Sequence, residues 1–392
     1  MSDFDPTAPL PGPPDPWAEG PTPSLRPGPP FHMTEMIAAE PALAGRMLSR
    51  LADAGDDAAQ LAAAIRSTIE AGDPVVVTGC GTSEHGALAA ADIIREAASA
   101  AGLRHPDVRA EQAFELSLTP PDRTLVIAVS HEGATAATLA AIAAAREAGC
   151  QTAVITASRR SPAGSLASIA VETGELDQGW CHTVGYLSPI LAASAVGAHL
   201  SGRPIDPGTV ADLLASGASD GSGAETMAAH LADTEHLLVI ASGADRPAGR
   251  ELALKVEEAS WLPTAYRELE TFLHGHLPST GPSTGLILIL ADRERRAERV
   301  ARARQALAAA EVIGLRVGAI TADGAIDPAL TPIGRLVVGE SPTLPSPVAA
   351  LLGSVTPLQL LTERLARARG TNPDLIRRDD PTYRAASDAA GN

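Results

Sequence analysis

Apolar positions along the chain form two alternating kinds of segment. Short unbroken apolar runs, such as "PVVVTG" and "TLVIAVS", are each followed by a small-residue turn and a stretch of helical spacing. A run that is apolar at every position predicts a strand buried on both faces. Such strands alternating with helices predict a parallel sheet covered on both sides. Helical spacing over "HMTEMIAAEPALAGRMLSRL" starts the ordered part near Met33, and a second helix near "AAQLAAAIRSTIEAG" stops at Gly72. "DPVVVTGCGTSEHGALAAADIIREA" then reads as strand, turn and helix, "RTLVIAVSHEGATAATLAAIAAAREAG" repeats the plan, and "QTAVITASRRSP" adds a strand.

The whole plan recurs further along. "HLLVIASGADRPAGRELALKVEEA" echoes the first unit, "GLILILADRERRAERVARARQALAAAE" the second, and "RVGAITA" echoes "TAVITA". Gly81 to Ser130 spans 49 positions, and so does Gly243 to Asp292. An internal repeat of this length marks duplicated units. The predicted fold is α/β, with two tandem lobes, each a parallel sheet flanked by helices. The expected divisions are a Pro/Gly-rich tail over 1–30 that stays unpacked, a first lobe over 31–205 and a second over 206–392, with the boundary near "SGRPIDPGTV".

Composition narrows the partners. A net charge of −17 argues against a nucleic-acid backbone, which needs clustered cations, but leaves a small anionic ligand open. No apolar run is expected to reach the length of a membrane span, and the N-terminus lacks the pattern of a secretory signal. Three cysteines, Cys80, Cys150 and Cys181, form neither an even set nor a CxxC pair, which suits free thiols in a reducing cytoplasm. Of 30 lysines and arginines, only Lys255 is a lysine. A compact ammonium at that one position invites the question of what a guanidinium could not do there.

The two copies differ at their strand ends. The first carries Gly81, Thr82 and Ser83 in one turn and Ser130 and Thr135 in the other, whereas the second has "SGADRP" and "ADRERR". Ligands of open α/β sheets bind beyond the carboxyl ends of the strands, where helix N-termini attract anions. The first lobe alone is thus equipped to cradle an anion, although each hydroxyl taken singly would also serve as a helix cap. Glu251, Lys255 and Glu258, spaced four and three apart, share one helix face. That pattern fits a catalytic constellation and equally a solvated Glu–Lys helix pair. His85, His131 and His182 lie near the ligand loops and suit either ligand hydroxyls or helix ends. "HGH" at His274 and His276 lacks the further ligands of a metal site, and neither metal nor cofactor is expected.

At these residues the chain resembles the sugar isomerase (SIS) domain family, above all the tandem isomerase half of glucosamine-6-phosphate synthase and stand-alone deaminase/isomerases. "GCGTSEHG" and "SHEGAT" resemble the family's GCGTS and SQSGET loops, and "ELALKVEEASWLPTAYRELETFLHG" resembles EGALKLKEISY…GELKHG without a gap. The resemblance covers roughly residues 33 to 380. It implies a sugar-phosphate or aminosugar ligand touched by Gly81, Thr82, Ser83, Ser130, His131, Glu132, Thr135, Thr183 and Glu251. It further implies Glu258 as the base of an aldose–ketose interconversion, Lys255 as its support and His274 as a ring-opening residue. In the synthase that histidine comes from the neighbouring subunit, which implies a homodimer.

Two departures change the expectation. Glu132 stands where the family places a phosphate-binding hydroxyl, so either this carboxylate turns away or the ligand lacks phosphate there. The C-terminal stretch "RGTNPDLIRRDDPTYRAASDAAGN" lacks the synthase's ring-opening lysine, and no glutaminase segment accompanies the chain. Three readings follow: a phosphosugar isomerase or aminosugar-phosphate deaminase, a non-catalytic sugar-phosphate sensor, or an isomerase of an unphosphorylated or otherwise substituted sugar.

Overall fold

In the computed structural model, which describes residues 4–53 and 55–391, the alternation of strands and helices builds two five-stranded parallel sheets. The first lobe runs α1 (His32–Leu51), α2 (Asp57–Glu70), β1 (Val75–Gly79), α3 (Thr82–Ala100), β2 (Val108–Gln112), α4 (Ala113–Leu118), β3 (Leu125–Val129), α5 (Ala136–Glu147), β4 (Gln151–Thr156), α6 (Pro162–Leu166), β5 (Ile169–Glu172) and α7 (Val184–Ser201). The second runs α8 (Pro207–Ala218), α9 (Gly221–Leu231), β6 (His236–Ile240), α10 (Arg246–Ser260), β7 (Thr264–Arg267), the single turn α11 (Leu269–Thr271), β8 (Thr284–Leu290), α12 (Arg296–Ile313), β9 (Arg316–Ala322), β10 (Arg335–Val338), α13 (Ser346–Arg369) and α14 (Pro381–Ala390).

The strand order is β2-β1-β3-β4-β5 in the first sheet and β7-β6-β8-β9-β10 in the second. The repeat in the sequence is therefore a repeat of topology. In this order the chain leaves β1 toward one edge and β3 toward the other, which opens a crevice at their carboxyl ends. Side chains of one strand alternate between cores. Leu237, Val239, Ile287 and Ile289 join α10 and α13 in a core shared by both lobes. Leu238, Ile240, Leu286 and Leu288 instead meet Ala303 and Leu307 of α12. Helices α10 and α12 thus cover opposite faces of the second sheet.

Two glycines fix the first lobe's loops. A Cβ on Gly79 would lie 2.5 Å from the Ser83 carbonyl oxygen, so the turn from β1 into α3 closes only on glycine. Gly133, at φ +78°, presses against Ser161, whose Oγ would lie 2.1 Å from an added Cβ.

Helix α7 corrects the expectation about apolar runs. Its 18 residues have a mean hydropathy of 1.2, long and apolar enough to cross a membrane, yet 83% of them are buried. They pack against α1, α2 and α3, as befits a core helix.

The N-terminal segment also differs from expectation. Residues 4–30 form neither helix nor strand, but they lie against the body; residues 1–3 fall outside the described residues. Leu10 is 6% exposed, and its N–H donates to Glu175 Oε2 at 2.8 Å. Arg46 donates to both oxygens of Glu175 at 3.0 Å and to the Thr7 carbonyl at 2.8 Å. Pro-rich composition ruled out regular structure here without ruling out side-chain anchorage. Removing residues 1–30 is expected to lower the melting temperature by about 3 °C or more, from the lost Leu10 burial and charged hydrogen bonds. Unchanged melting in a thermal scan would return the segment to a passive tail.

Candidate active site between the lobes

The first lobe supplies two loops at the β1/β3 crevice. Gly81, at φ +56°, is the N-cap of α3 and Thr135 the N-cap of α5; neither helix receives a side-chain cap. The hydroxyls are therefore not consumed as caps, contrary to the simplest structural reading. Ser130, 2% exposed, has an Oγ without a hydrogen-bond partner among the described residues. A buried, unpaired hydroxyl at a strand end is costly unless something else bonds to it. Ser83 is half-buried and Thr135 exposed on the same loops.

The second lobe supplies α10. Lys255 is 1% exposed, with Nζ 2.5 Å from Glu258 Oε2 and 3.7 Å from Glu251 Oε1. Burial works against its charge, but the carboxylates of Glu258 and Glu251 outweigh it and hold the pKa above the usual lysine value. Glu251 reaches across to the first lobe, where its Oε2 lies 2.6 Å from His85 Nδ1 and its Oε1 accepts from Thr82 Oγ1 at 3.3 Å. The Thr82 hydroxyl is thus turned to Glu251. Glu258, with 20% of its side chain exposed, opens onto a cleft of about 410 Å³. Thr82, Glu251 and Lys255 therefore meet at the junction of the two lobes, with Glu258 bonded to Lys255 further along α10.

Two of the sequence candidates take internal roles. His131 is 7% exposed, and its Nε2 accepts from the Asp177 N–H at 3.2 Å. Burial lowers its pKa to about 4, against the pull of Asp177. The ring is neutral, so its 3.2 Å approach to Asp177 Oδ2 is no ion pair. Thr183 is fully buried and donates to Asp177 Oδ1 at 3.3 Å. Both hold the loops together through Asp177. Glu132 is exposed and has no ion pair among the described residues, which favours the arrangement in which it turns to solvent.

His274 stands apart. Its side chain is 71% exposed, with Nε2 2.6 Å from Glu270 Oε1, and Arg302 of α12 grips the same glutamate. It thus lies on the α12 side of the second sheet, opposite α10, and this chain does not bring it to its own Glu258. His276 Nδ1 accepts from Arg267 Nε at 3.2 Å.

Asp177, which the sequence reading missed, accepts from the backbone N–H groups of Thr183, Val184 and Gly185 at the start of α7. Burial raises its pKa, but His182 and the Thr183 and Gly185 N–H groups leave it below the usual value. No local signal exposes such a cap, since the carboxylate sits six residues before Thr183. Cys181, 1% exposed, is within electrostatic reach of Lys255, and burial pushes its thiol pKa up.

The second lobe's equivalent crevice is filled by its own acids. Asp245, the counterpart of Ser83, accepts from the Ala291 and Asp292 N–H groups at 3.0 to 3.1 Å. Asp292, the counterpart of Ser130, accepts from the N–H groups of Ala244 and Glu294 and from Ser346 Oγ, and pairs with Arg299 at 2.5 Å. Burial chiefly, with the nearby Asp292 carboxylate, raises the Asp245 pKa to about 7. The folded protein therefore binds this proton more tightly than the unfolded chain. The resulting stability is complete below about pH 4 and lost as pH rises to about 7. Asp245→Asn should flatten that decline by a few kcal/mol, at about 1.4 kcal/mol per pKa unit. Urea denaturation of wild type and variant from pH 4.5 to 8 reads the difference, and parallel curves would contradict it.

Comparison with known proteins bears on the fold that carries these residues. Residues 68–179 match the SIS domain family. Over 314 residues the chain is 26% identical to the glutamine–fructose-6-phosphate aminotransferase (isomerizing) of Halobacterium salinarum, covering 74% of this chain and 50% of the relative. The chain thus spans about half the length of the curated relative it matches. The C-terminal domain of the glucosamine-fructose-6-phosphate aminotransferase of Francisella tularensis superposes with a TM-score of 0.75 at 17% identity, covering 90% of this chain and all of that one. Tagatose-6-phosphate ketose/aldose isomerase of Escherichia coli follows with a TM-score of 0.70 at 19% identity, covering 90% and 98%. At these identities the structures establish the shared fold. Residues 68–179 of the first lobe are thus similar to a SIS domain, and the second lobe repeats the first lobe's strand order.

Proposed function

We propose that the chain is an enzyme acting on a sugar phosphate, as an aldose–ketose isomerase or an aminosugar-phosphate deaminase/isomerase. The observation that carries this reading is Glu258, a partly exposed carboxylate held by the buried Lys255 ammonium at the mouth of a cleft. A general base needs a fixed position and an open face toward substrate, and Glu258 has both. The phosphate would sit at the first lobe's crevice, on the open first turn of α5 and the free Ser130 hydroxyl. The sugar's reacting carbons would then reach toward α10. Glu258 removes the proton from C2, the electron pair forms the C1–C2 double bond, and the carbonyl oxygen takes the charge. Return of the proton to C1, with the O2 hydroxyl proton passing to O1 as the carbonyl forms at C2, completes an isomerisation.

The 71% exposed His274 would assist only if a second copy of the chain presented its own His274 to this cleft, which favours a homodimer. The relatives named as acting on fructose 6-phosphate and tagatose 6-phosphate suggest hexose 6-phosphates as first candidates. The sensor reading draws no support from this geometry, because a binding module has no use for a positioned base.

Glu258→Gln is expected to abolish exchange of the C2 proton of glucosamine 6-phosphate, or of a C1 proton of fructose 6-phosphate, with deuterated solvent while leaving affinity for either within about threefold. Exchange at the wild-type rate would remove Glu258 from the reaction. Glu132→Ser should likewise change those affinities by less than about threefold, because an exposed carboxylate is screened by water. Calorimetric titration measures this, and a tenfold gain would mean that Glu132 faces the ligand.

A further inference from the structure

The charges around Glu258 do not supply a cation for the reaction it would catalyse. Lys255 is held by Glu258 and Glu251, and His85 lies against Glu251. When a proton leaves C2, negative charge builds on the substrate oxygen, and a site with two carboxylates needs a free cation to meet it.

One is present. Arg377 lines the same cleft as Glu258, together with Trp261, Leu262 and Tyr383, and is the one cation among the lining residues. Its guanidinium lies 4.4 Å from the ring centroid of Trp261 and 3.8 Å from that of Tyr383. Rings stacked on a guanidinium hold its flat faces and leave its N–H donors pointing outward in the plane. Arg377 is only partly exposed, yet its side chain makes no hydrogen bond or ion pair among the described residues. In a chain of net charge −17, a partly buried guanidinium without an acid is unusual.

The backbone reinforces the placement. Ile376 and Arg377 have φ of 42° and 67°, and Trp261, which ends α10, has φ of 55°. A β-branched residue followed by arginine in the left-handed region is unfavourable locally and persists only when the surroundings impose it. Here the turn brings Arg377 over the end of the helix that carries Glu258.

We propose that Arg377 is the substrate-touching cation of this site, binding the anionic oxygen that forms at the reacting end of the sugar. The Trp261 and Tyr383 rings aim it. This rests on the sugar-phosphate reading above and adds the oxyanion partner that reading lacks.

Two probes separate the ideas. Glucitol 6-phosphate carries phosphate and a neutral reacting end, and arabinonate 5-phosphate carries phosphate and a carboxylate where the enediolate charge would lie. Wild type is expected to bind arabinonate 5-phosphate about tenfold or more tighter than glucitol 6-phosphate, the worth of one charged hydrogen-bonding contact. Arg377→Gln should keep its affinity for glucitol 6-phosphate and lose the preference, and Arg377→Lys should keep part of it. Should Arg377→Gln unfold, Tyr383→Leu, on the exposed helix α14, removes one stacking face and should shrink the preference by about threefold or more. Undiminished preference in the folded variants, or none in wild type, overturns the role of Arg377 alone. Failure of wild type to bind either probe overturns the sugar-phosphate reading, and this proposal with it.

Discussion

The buried ammonium of Lys255 is the interaction around which the junction is organised. A charge removed from water on this scale survives only beside opposite charge, and Glu251 and Glu258 provide it from the same face of α10. Glu251 also bonds to Thr82 and approaches His85 on the other lobe. One cation thus fixes the attitude of Glu258 and, through Glu251, the docking of α10 on α3. Removing it would leave two carboxylates facing each other in the interior, a loss of about 3–5 kcal/mol by analogy with broken buried pairs. The sole lysine is explained by size: a point charge fits between carboxylates on adjacent helical turns, whereas a planar fork would need a wider gap.

The duplicated topology clarifies what the first lobe is free to do. At these strand ends the two copies use their amides differently: the Ser130 N–H donates to the Ile155 carbonyl, whereas the Ala291 and Asp292 N–H groups need side-chain acceptors. The second lobe meets the need internally with Asp245 and Asp292. The first lobe carries serines at those two positions, with Ser130 left unpaired. The same strand order therefore carries a closed structural joint in one copy and an unpaired serine hydroxyl in the other, through different residues at two equivalent positions.

How much of this was legible follows from burial. The inner strands β1, β3, β4, β6, β8 and β9 each carry a largely apolar run because both faces are covered, and the sequence announces each of them. The edge strands β2, "VRAEQ", and β7, "TAYR", are half-buried and carry mixed residues, so no apolar run marks them. Among site residues, the helical spacing of Glu251, Lys255 and Glu258 was readable because it is local. The inward roles of His131 and Thr183 were not, since both depend on Asp177, which lies 46 positions from His131. Arg377 was equally hidden, because its position comes from rings at Trp261 and Tyr383 on separate elements.

The two chain ends, least informative in sequence, turn out to share a single support. Asp374, 1% exposed, accepts from the Arg26 and His32 N–H groups through its carboxylate and from the Trp180 N–H through its carbonyl. Asn372 Nδ2 donates to the Arg26 carbonyl at 2.7 Å. One residue thereby ties the N-terminal segment and the start of α1 to the loop bearing Cys181, three residues before Arg377. Arg378, next along, covers the Trp180 ring at 4.8 Å. The segment carrying Arg377 is consequently braced by both termini, and the strained turn at Ile376 has fixed points on either side. A cation that must meet charge appearing for only part of a reaction gains from being held before the charge forms. The fold achieves this with terminal segments that form no part of either sheet.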